Sequence, residues 1–460
     1  MKHRLLSALV LTVALGLHPG CARGAEWAYQ ILHEFSSTAG GPWMPWELVQ
    51  SRDGNLYASS EVGRSNHVGT VFRLAPGGAI TTLLSFGSGN GDYPQEGLIE
   101  AADGKFYGTT YQDGGTASGA VFRITPQGGF TVLHRLDCAK GEGLGPICRL
   151  TQVPNGEIYG TTFYGGASGC FGNSAGTVFK LTPNGAFTTV VSFDGTNGSN
   201  PQCGLVFSPD GHFYGSTTGG GGPAGDGYGT IFRLTTNGVL TTLHTFDYRK
   251  DGSRPSGSLL LATDGNLYGT TEYGIKQDFG TIFRMAPDGD LTTLVNFNGN
   301  NGRYPHGDLI QTSNGFMYGR TITGGPNDAG TLFRLNANGD FTTILDFNGA
   351  NGGGPWAALV QGRDGQLYGS TAMGGAGQGG VALGLSPRPE LTNLSRSNDV
   401  VTLTWTSFTN GVYRVQQNTS LTPNNWMSLS PEITATADTT VRTFPAAPGD
   451  AAFYRVLLLQ

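Results

Sequence analysis

The residues best suited to binding chemistry are five aromatic side chains beside prolines: Trp43, Trp46, Tyr93, Tyr304 and Trp356. Indole and phenol rings join a broad apolar face to a polar edge, which suits a sugar or peptide partner. The alternative is that they only plug an interior. Catalytic chemistry has less to work with, and no catalytic residue is assigned. His33, His67, His134, His212, His244 and His306 are scattered along the chain. Neither a Gly-x-Ser-x-Gly elbow nor a His-Glu-x-x-His pair occurs. Carboxylates that meet from distant parts of a chain leave no local signature, so an acidic active site stays open as a second reading.

Metal and cofactor chemistry find no support, and none is expected. There is no Cys-x-x-Cys pair, and Asp53, Asp103 and Asp264 lack the spaced partners of a calcium loop. Gly220-x-Gly222-x-x-Gly225 is not followed by Lys-Ser/Thr, so it does not read as a phosphate cradle. Charged residues make up only 13%, and the net charge of -6 is spread without basic stripes, which argues against nucleic acid.

Met1-Lys-His-Arg4, an apolar run from Leu5 to Leu17 and small residues near Ala22 have the layout of an export signal over 1–25. Cys21 offers a lesser alternative, lipidation at the cell surface. No later stretch is long and apolar enough for a transmembrane segment. The four remaining cysteines, Cys138, Cys148, Cys170 and Cys203, favour disulfides in an exported chain. Their order prefers Cys138–Cys148 with Cys170–Cys203, the alternative being that one or two are free and buried.

These residues are set on a repeat. Asp103-Gly-Lys-Phe-Tyr-Gly-Thr-Thr110 recurs so that its tyrosine falls at 57, 107, 159, 214, 268, 318 and 368. A period near fifty residues is the mark of a repeat architecture. Each copy holds four strand candidates, A to D, separated by Asp-Gly, Gly-rich and Pro-x-Gly or Asn-Gly turns. Types B, C and D read Leu-Tyr-Gly-Thr-Thr, Val-Phe-Arg-Leu and Thr-Thr-Leu-x-x-Phe. Four antiparallel strands per repeat suit one blade of a β-propeller. Types A, B and C occur seven times within 46–385, and D only six; Trp27–Phe35 supplies the seventh D. A closed ring of seven blades, its first strand completing the last blade, is therefore expected. The tyrosines are expected in the packing. Arg73, Arg123, Lys180, Arg233, Arg284 and Arg334 are expected to bridge to neighbouring blades.

The run Tyr-Gly-Thr-Thr, Gly-Gly, Gly-Thr-Val-Phe-Arg-Leu, Thr-Thr-Leu-x-x-Phe and Asn-Gly-x-x-Pro resembles the GloVer tandem repeat of exported bacterial "choice-of-anchor" proteins, across 27–387. The resemblance implies export and a repeat fold, and brings no activity or catalytic residues. After 26–387, residues 388–460 read as a small β-sandwich, with Trp405 in its core, similar to immunoglobulin- or fibronectin-III-like modules. The whole reads as an all-β, exported, non-catalytic binding or scaffold protein, a monomer secreted or periplasmic. It would present a loop-rich propeller face to an extracellular glycan or protein. The alternatives are a carbohydrate-active hydrolase or lyase and a structural envelope component.

Overall fold

The structure, a computed structural model, describes residues 27–459 apart from 37–41, 63–67, 88, 114–117, 168, 171–174, 275–277, 388, 390, 398, 408–410, 419–425, 438 and 446–452. The expected export signal and Cys21 lie outside the described residues. Two compact units form, 30–360 with 368–384 and a second made chiefly of 385–460.

Seven antiparallel sheets follow one another along the repeats, each in the order A-B-C-D. In the second blade these strands are Ile99–Glu100, Phe106–Thr110, Ala120–Ile124 and Phe130–Arg135. The last sheet takes Val360–Gln361, Leu367–Ser370 and Gln378–Pro387 and adds Trp27–Ser36 as its D strand. The fold is thus an all-β, seven-bladed propeller closed by its first strand.

The repeated letters of the motif each have a packing reason. The motif tyrosine pairs across the sheet with the basic residue of strand C, as in Tyr107 with Arg123 and Tyr268 with Arg284. One residue on, the strand-C phenylalanine lies across the motif glycine. A Cβ on Gly160 would stand 2.5 Å from Cζ of Phe179 and 2.8 Å from Leu150. Glycine is therefore favoured there because a ring occupies the space of its side chain; the first blade has Ala58 in this position, opposite Phe72. Tyr57, Tyr107, Tyr159, Tyr268 and Tyr318 are almost wholly buried. The hydroxyls of Tyr57 and Tyr268 donate to Asp53 and Asp264, each at 2.7 Å. Burial and that carboxylate push both phenols up to about 12. The Asp-Gly turns thus cap the tyrosines, with Gly54 and Gly265 at positive φ.

The repeated cations correct an expectation: they serve mainly their own blade. Arg73, Arg123, Arg233, Arg284 and Arg334 hydrogen-bond the motif tyrosine of the same sheet, and Lys180 meets Glu157 at 3.3 Å. Arg284 also reaches the next blade, through Nη1 to the Ala337 carbonyl at 3.5 Å. The cross-strand register decides this, because it sets cation and phenol directly opposite.

Blades are joined by a recurring aromatic contact. The strand-D phenylalanine of one blade meets the strand-C phenylalanine of the next edge to face: Phe86–Phe122 at 5.4 Å, Phe246–Phe283 at 5.5 Å. The same contact crosses the closure as Phe35–Phe72 at 5.6 Å.

In the second unit, one sheet carries Leu391–Ser397, Val400–Thr406 and Thr439–Pro445, and the other centres on Val412–Asn418. Val401, Leu403, Trp405 and Phe444 of the first pack with Tyr413, Val415 and Ile433 of the second. Two sheets facing over such a core make a β-sandwich.

The cysteine pairing also corrects the expectation. Cys138 bonds Cys170, while Cys148 and Cys203 are free and buried. Cys138 and Cys170 both lie on loops, whereas Cys148 and Cys203 sit in equivalent inner positions of adjacent blades. Thr161 donates its N–H to Sγ of Cys148 at 2.9 Å and accepts the thiol hydrogen at its carbonyl, 3.3 Å away. Burial pushes the Cys148 thiol up to about 11, so it is no ready nucleophile. The disulfide fits an oxidising compartment. Among the described residues no helix is long and apolar enough to cross a membrane. With its ends separated by 32 positions in sequence, the crosslink should stabilise by about 3–4 kcal/mol. Replacing Cys138 and Cys170 by Ser should show that loss in urea titration, and an unchanged midpoint would contradict it.

Candidate functional site

The site is built by one device used seven times. Before each strand A stands a proline, at 45, 94, 146, 201, 255, 305 and 355. The residue ahead of each proline has φ between +54° and +64°. For Met44, Tyr93, Asn200, Arg254 and Tyr304 this is a strained backbone, of order 1–3 kcal/mol each, kept only where surroundings over-determine it. An inter-blade hydrogen bond supplies that constraint. The N–H of Tyr93 donates to the Val68 carbonyl, that of Tyr304 to Phe279 and that of Arg254 to Tyr228, each at 2.9 Å.

The turn aims the residue after proline toward the axis. Trp46, Gln95, Ile147, Gln202, Ser256, His306 and Trp356, one from each blade, line two adjoining cavities at the mouth. The outer cavity, about 300 Å³, is walled by Trp46, Trp356, His306, Met44 and Glu61. That is the lower end of the size range of small-molecule sites. The inner one, about 30 Å³, has room for a single small group and is lined by Glu47, Glu96, Arg149, Asp308 and Arg320.

Of the five aromatics expected to bind, Trp46 and Trp356 line the mouth. Trp356 is 39% exposed, leaving ring surface for a ligand, and its ring lies 5.7 Å from that of His306. Trp43, Tyr93 and Tyr304 are absent from the walls of both cavities. Tyr93 and Tyr304 hold the position before proline, and the Tyr304 ring turns to Tyr273 at 5.8 Å. Trp43 pairs with Val62 in the short strand Trp43–Pro45.

The inner floor is where charge is concentrated. Arg149 Nη1 meets Glu47 at 2.8 Å and lies 3.9 Å from Asp308. Asp308 Oδ1 accepts from the Ser258 N–H at 2.6 Å. Glu47 fits because Gly97 has no Cβ, which would stand 2.9 Å from its Oε2. Burial raises the Glu47 carboxyl to about 6 despite Arg149. Burial, with Asp308 and Glu47 nearby, holds the Glu96 carboxyl well above its ordinary value. His306 is kept neutral by burial and by Arg320 and Arg254, its pKa falling to about 3.

Arg320 stands two residues after the motif tyrosine, where the other blades have Ser59, Thr109, Thr161, Ser216, Thr270 and Ser370. In three of these the hydroxyl serves as a clamp: Ser59 Oγ donates to the Glu96 carbonyl at 2.8 Å, Thr161 Oγ1 to the Cys203 carbonyl at 3.3 Å, and Ser370 Oγ to the Pro45 carbonyl at 3.2 Å, or to that of Trp46 at 3.1 Å, across the closure. The hydroxyls of Thr109, Ser216 and Thr270 are buried without such a partner. Arg320 takes both equivalent carbonyls, Nε to Pro355 at 2.8 Å and Nη2 to Trp356. Its third nitrogen, Nη1, is buried without a hydrogen-bond partner, as are Trp46 Nε1 and His306 Nδ1. Burial lowers Arg320 only to about 10, so it stays charged at neutral pH.

Glu47, Glu96, Arg149, Asp308, His306 and Arg320 were not singled out as a site from sequence. The available signal was their departure from the repeat: Arg in a Ser/Thr position, and unlike residues after otherwise regular prolines. No cluster of acidic, His or Cys groups suited to a metal occurs among the described residues.

Solved structures with comparable folds include an ulvan lyase, a polysaccharide lyase, at 13% identity and TM-score 0.48, over 75% of this chain and 94% of that one. A putative 6-phosphogluconolactonase from Bacteroides uniformis is 20% identical with TM-score 0.46, over 67% and 86%. A gluconolactonase from Xanthomonas campestris is 17% identical with TM-score 0.38, over 69% and 94%. Likenesses at this level carry no functional information. No match was found among curated proteins. The profile of the Gloeobacter/Verrucomicrobia repeat matches residues 23–225 and 171–383, and the chain belongs to that family.

Proposed function

We propose that this exported protein binds a glycan at the axial mouth of its propeller. The observation that carries the reading is the meeting of unpartnered buried polar atoms with indole rings: the donors Trp46 Nε1 and Arg320 Nη1, and His306 Nδ1, beside Trp46 and Trp356. A sugar offers hydroxyls to such donors and a C–H face to such rings. In this reading the protein is a binding or scaffold component, secreted or periplasmic. Its C-terminal module, of immunoglobulin- or fibronectin-III-like kind, acts as a spacer. Screening on a glycan array followed by calorimetry should give saturable binding. Trp356→Ala should weaken it at least tenfold, as expected for an anchor at an interface centre. Unchanged affinity would remove the mouth from the account.

A second reading is a carbohydrate-active hydrolase or lyase, favoured by two buried carboxyls, Glu96 and Glu47, both raised and close enough to act on each other. Release of reducing or unsaturated ends from the bound glycan, lost in Glu96→Gln, would support it. Binding without turnover supports the first reading. Neither binding nor turnover would leave a structural envelope role.

A further inference from the structure

We infer that the inner chamber takes a single carboxylate, so that the glycan bound at the mouth is an acidic saccharide such as a uronate. The inference rests on the glycan reading and deepens it. Arg320 is 4% exposed and keeps Nη1 without a partner, though its other two nitrogens are committed to the Pro355 and Trp356 carbonyls. A buried, charged donor left unpaired is costly, and an anion is its natural partner. The chain makes room for this arginine at a neighbouring turn: a Cβ on Gly307 would strike the guanidinium. Ser59, Thr161 and Ser370 clamp with a hydroxyl alone, and Thr109, Ser216 and Thr270 do without a clamp, so the third nitrogen is surplus to the fold.

The rest of the chamber sets the kind of anion. Arg149 already pairs with Glu47 and faces Asp308, leaving Arg320 as the cation with an N–H uncommitted. Asp308, Glu47 and Glu96 lie close enough to act electrostatically on Arg320, and the first two would oppose a dianion such as phosphate. A carboxylate brings one negative charge. Burial pushes Glu96 toward its protonated form, which would donate a hydrogen bond to the carboxylate rather than repel it. About 30 Å³ beneath the roughly 300 Å³ outer bowl gives space for a small group below a sugar ring.

The test is calorimetric titration of the full chain with galacturonate and glucuronate oligosaccharides, their methyl esters, and a sulfated neutral oligosaccharide. The acid should bind about ten- to a hundredfold more tightly than its ester, the span of a hydrogen bond to a charged group. Arg320→Thr restores the hydroxyl of the other blades, so it should fold, bind acid and ester equally, and bind both more weakly than the wild type binds the acid. Equal binding of acid and ester, tighter binding of the sulfated sugar, or an acid preference that survives Arg320→Thr would overturn the inference. Binding of neutral glycans that Trp356→Ala abolishes would then leave the glycan reading standing. No binding by any saccharide would overturn both.

Discussion

Phe35→Ala should cost about 3–5 kcal/mol of folding stability, the range for truncating a buried phenylalanine. Phe35 is 1% exposed and belongs to the cluster of Leu48, Leu56, Phe72, Leu74, Tyr368 and Ala382, which joins the first and last blades. Its contact with Phe72 has the geometry of Phe246 with Phe283 in mid-chain. The closure should therefore be as strong as any other junction, and Phe246→Ala should cost the same. Urea titration of both variants checks this; a loss below about 1 kcal/mol at Phe35 alone would mean a loose seam. Deleting 27–36 should do more. It bares the edge of Gln378–Pro387, with Val381 and Leu383 losing cover, and an exposed apolar edge invites aggregation.

His306→Gln should change the acid response of the fold. With a folded pKa of about 3 against 6.5, His306 contributes stability that is fully present above pH 6.5 and lost as pH falls toward 3. By pH 4 the loss is about 3 kcal/mol, at 1.36 kcal/mol per unit. Arg320 and Arg254 face the imidazole and oppose its protonation. Glu47 works in the other sense. Its folded pKa of about 6, against 4.5, gives stability present below pH 4.5 and lost as pH rises through 6, about 2 kcal/mol in all. The two nearly offset between pH 4.5 and 6; below that the loss at His306 adds to that of the hydrogen-bonded carboxylates with lowered pKa, such as Asp53 and Asp264. Glutamine cannot charge, so the variant should gain on the wild type by about 3 kcal/mol between pH 7 and pH 4. A constant difference in urea midpoints across that range would show that His306 titrates normally.

The ring was legible because its parts repeat. Each tyrosine, glycine, phenylalanine and cation of the motif answers a contact made in blade after blade. A missing seventh strand D could be counted and found at 27–35. The mouth was legible only in part, because binding chemistry lies in the residues that break the repeat. Arg320 hides among serines and threonines. Glu47, Arg149 and Asp308 come from three blades, and no local spacing links them. The aromatic reading followed prolines without their register. The residue after proline enters the mouth, as Trp46 and Trp356 do, while Tyr93 and Tyr304 stand before it at positive φ. The cysteine pairing was misjudged for a similar reason. Chain order placed Cys148 near Cys138, but its side chain belongs to the inner wall, bonded to Thr161.

A crystal structure of the protein with its tightest-binding oligosaccharide tests the central claim most directly. A sugar ring seated against Trp46 and Trp356, with a polar group on Arg320 Nη1, is the predicted result. A saccharide bound on the C-terminal sandwich or the outer blade edges, with the mouth empty, would contradict it.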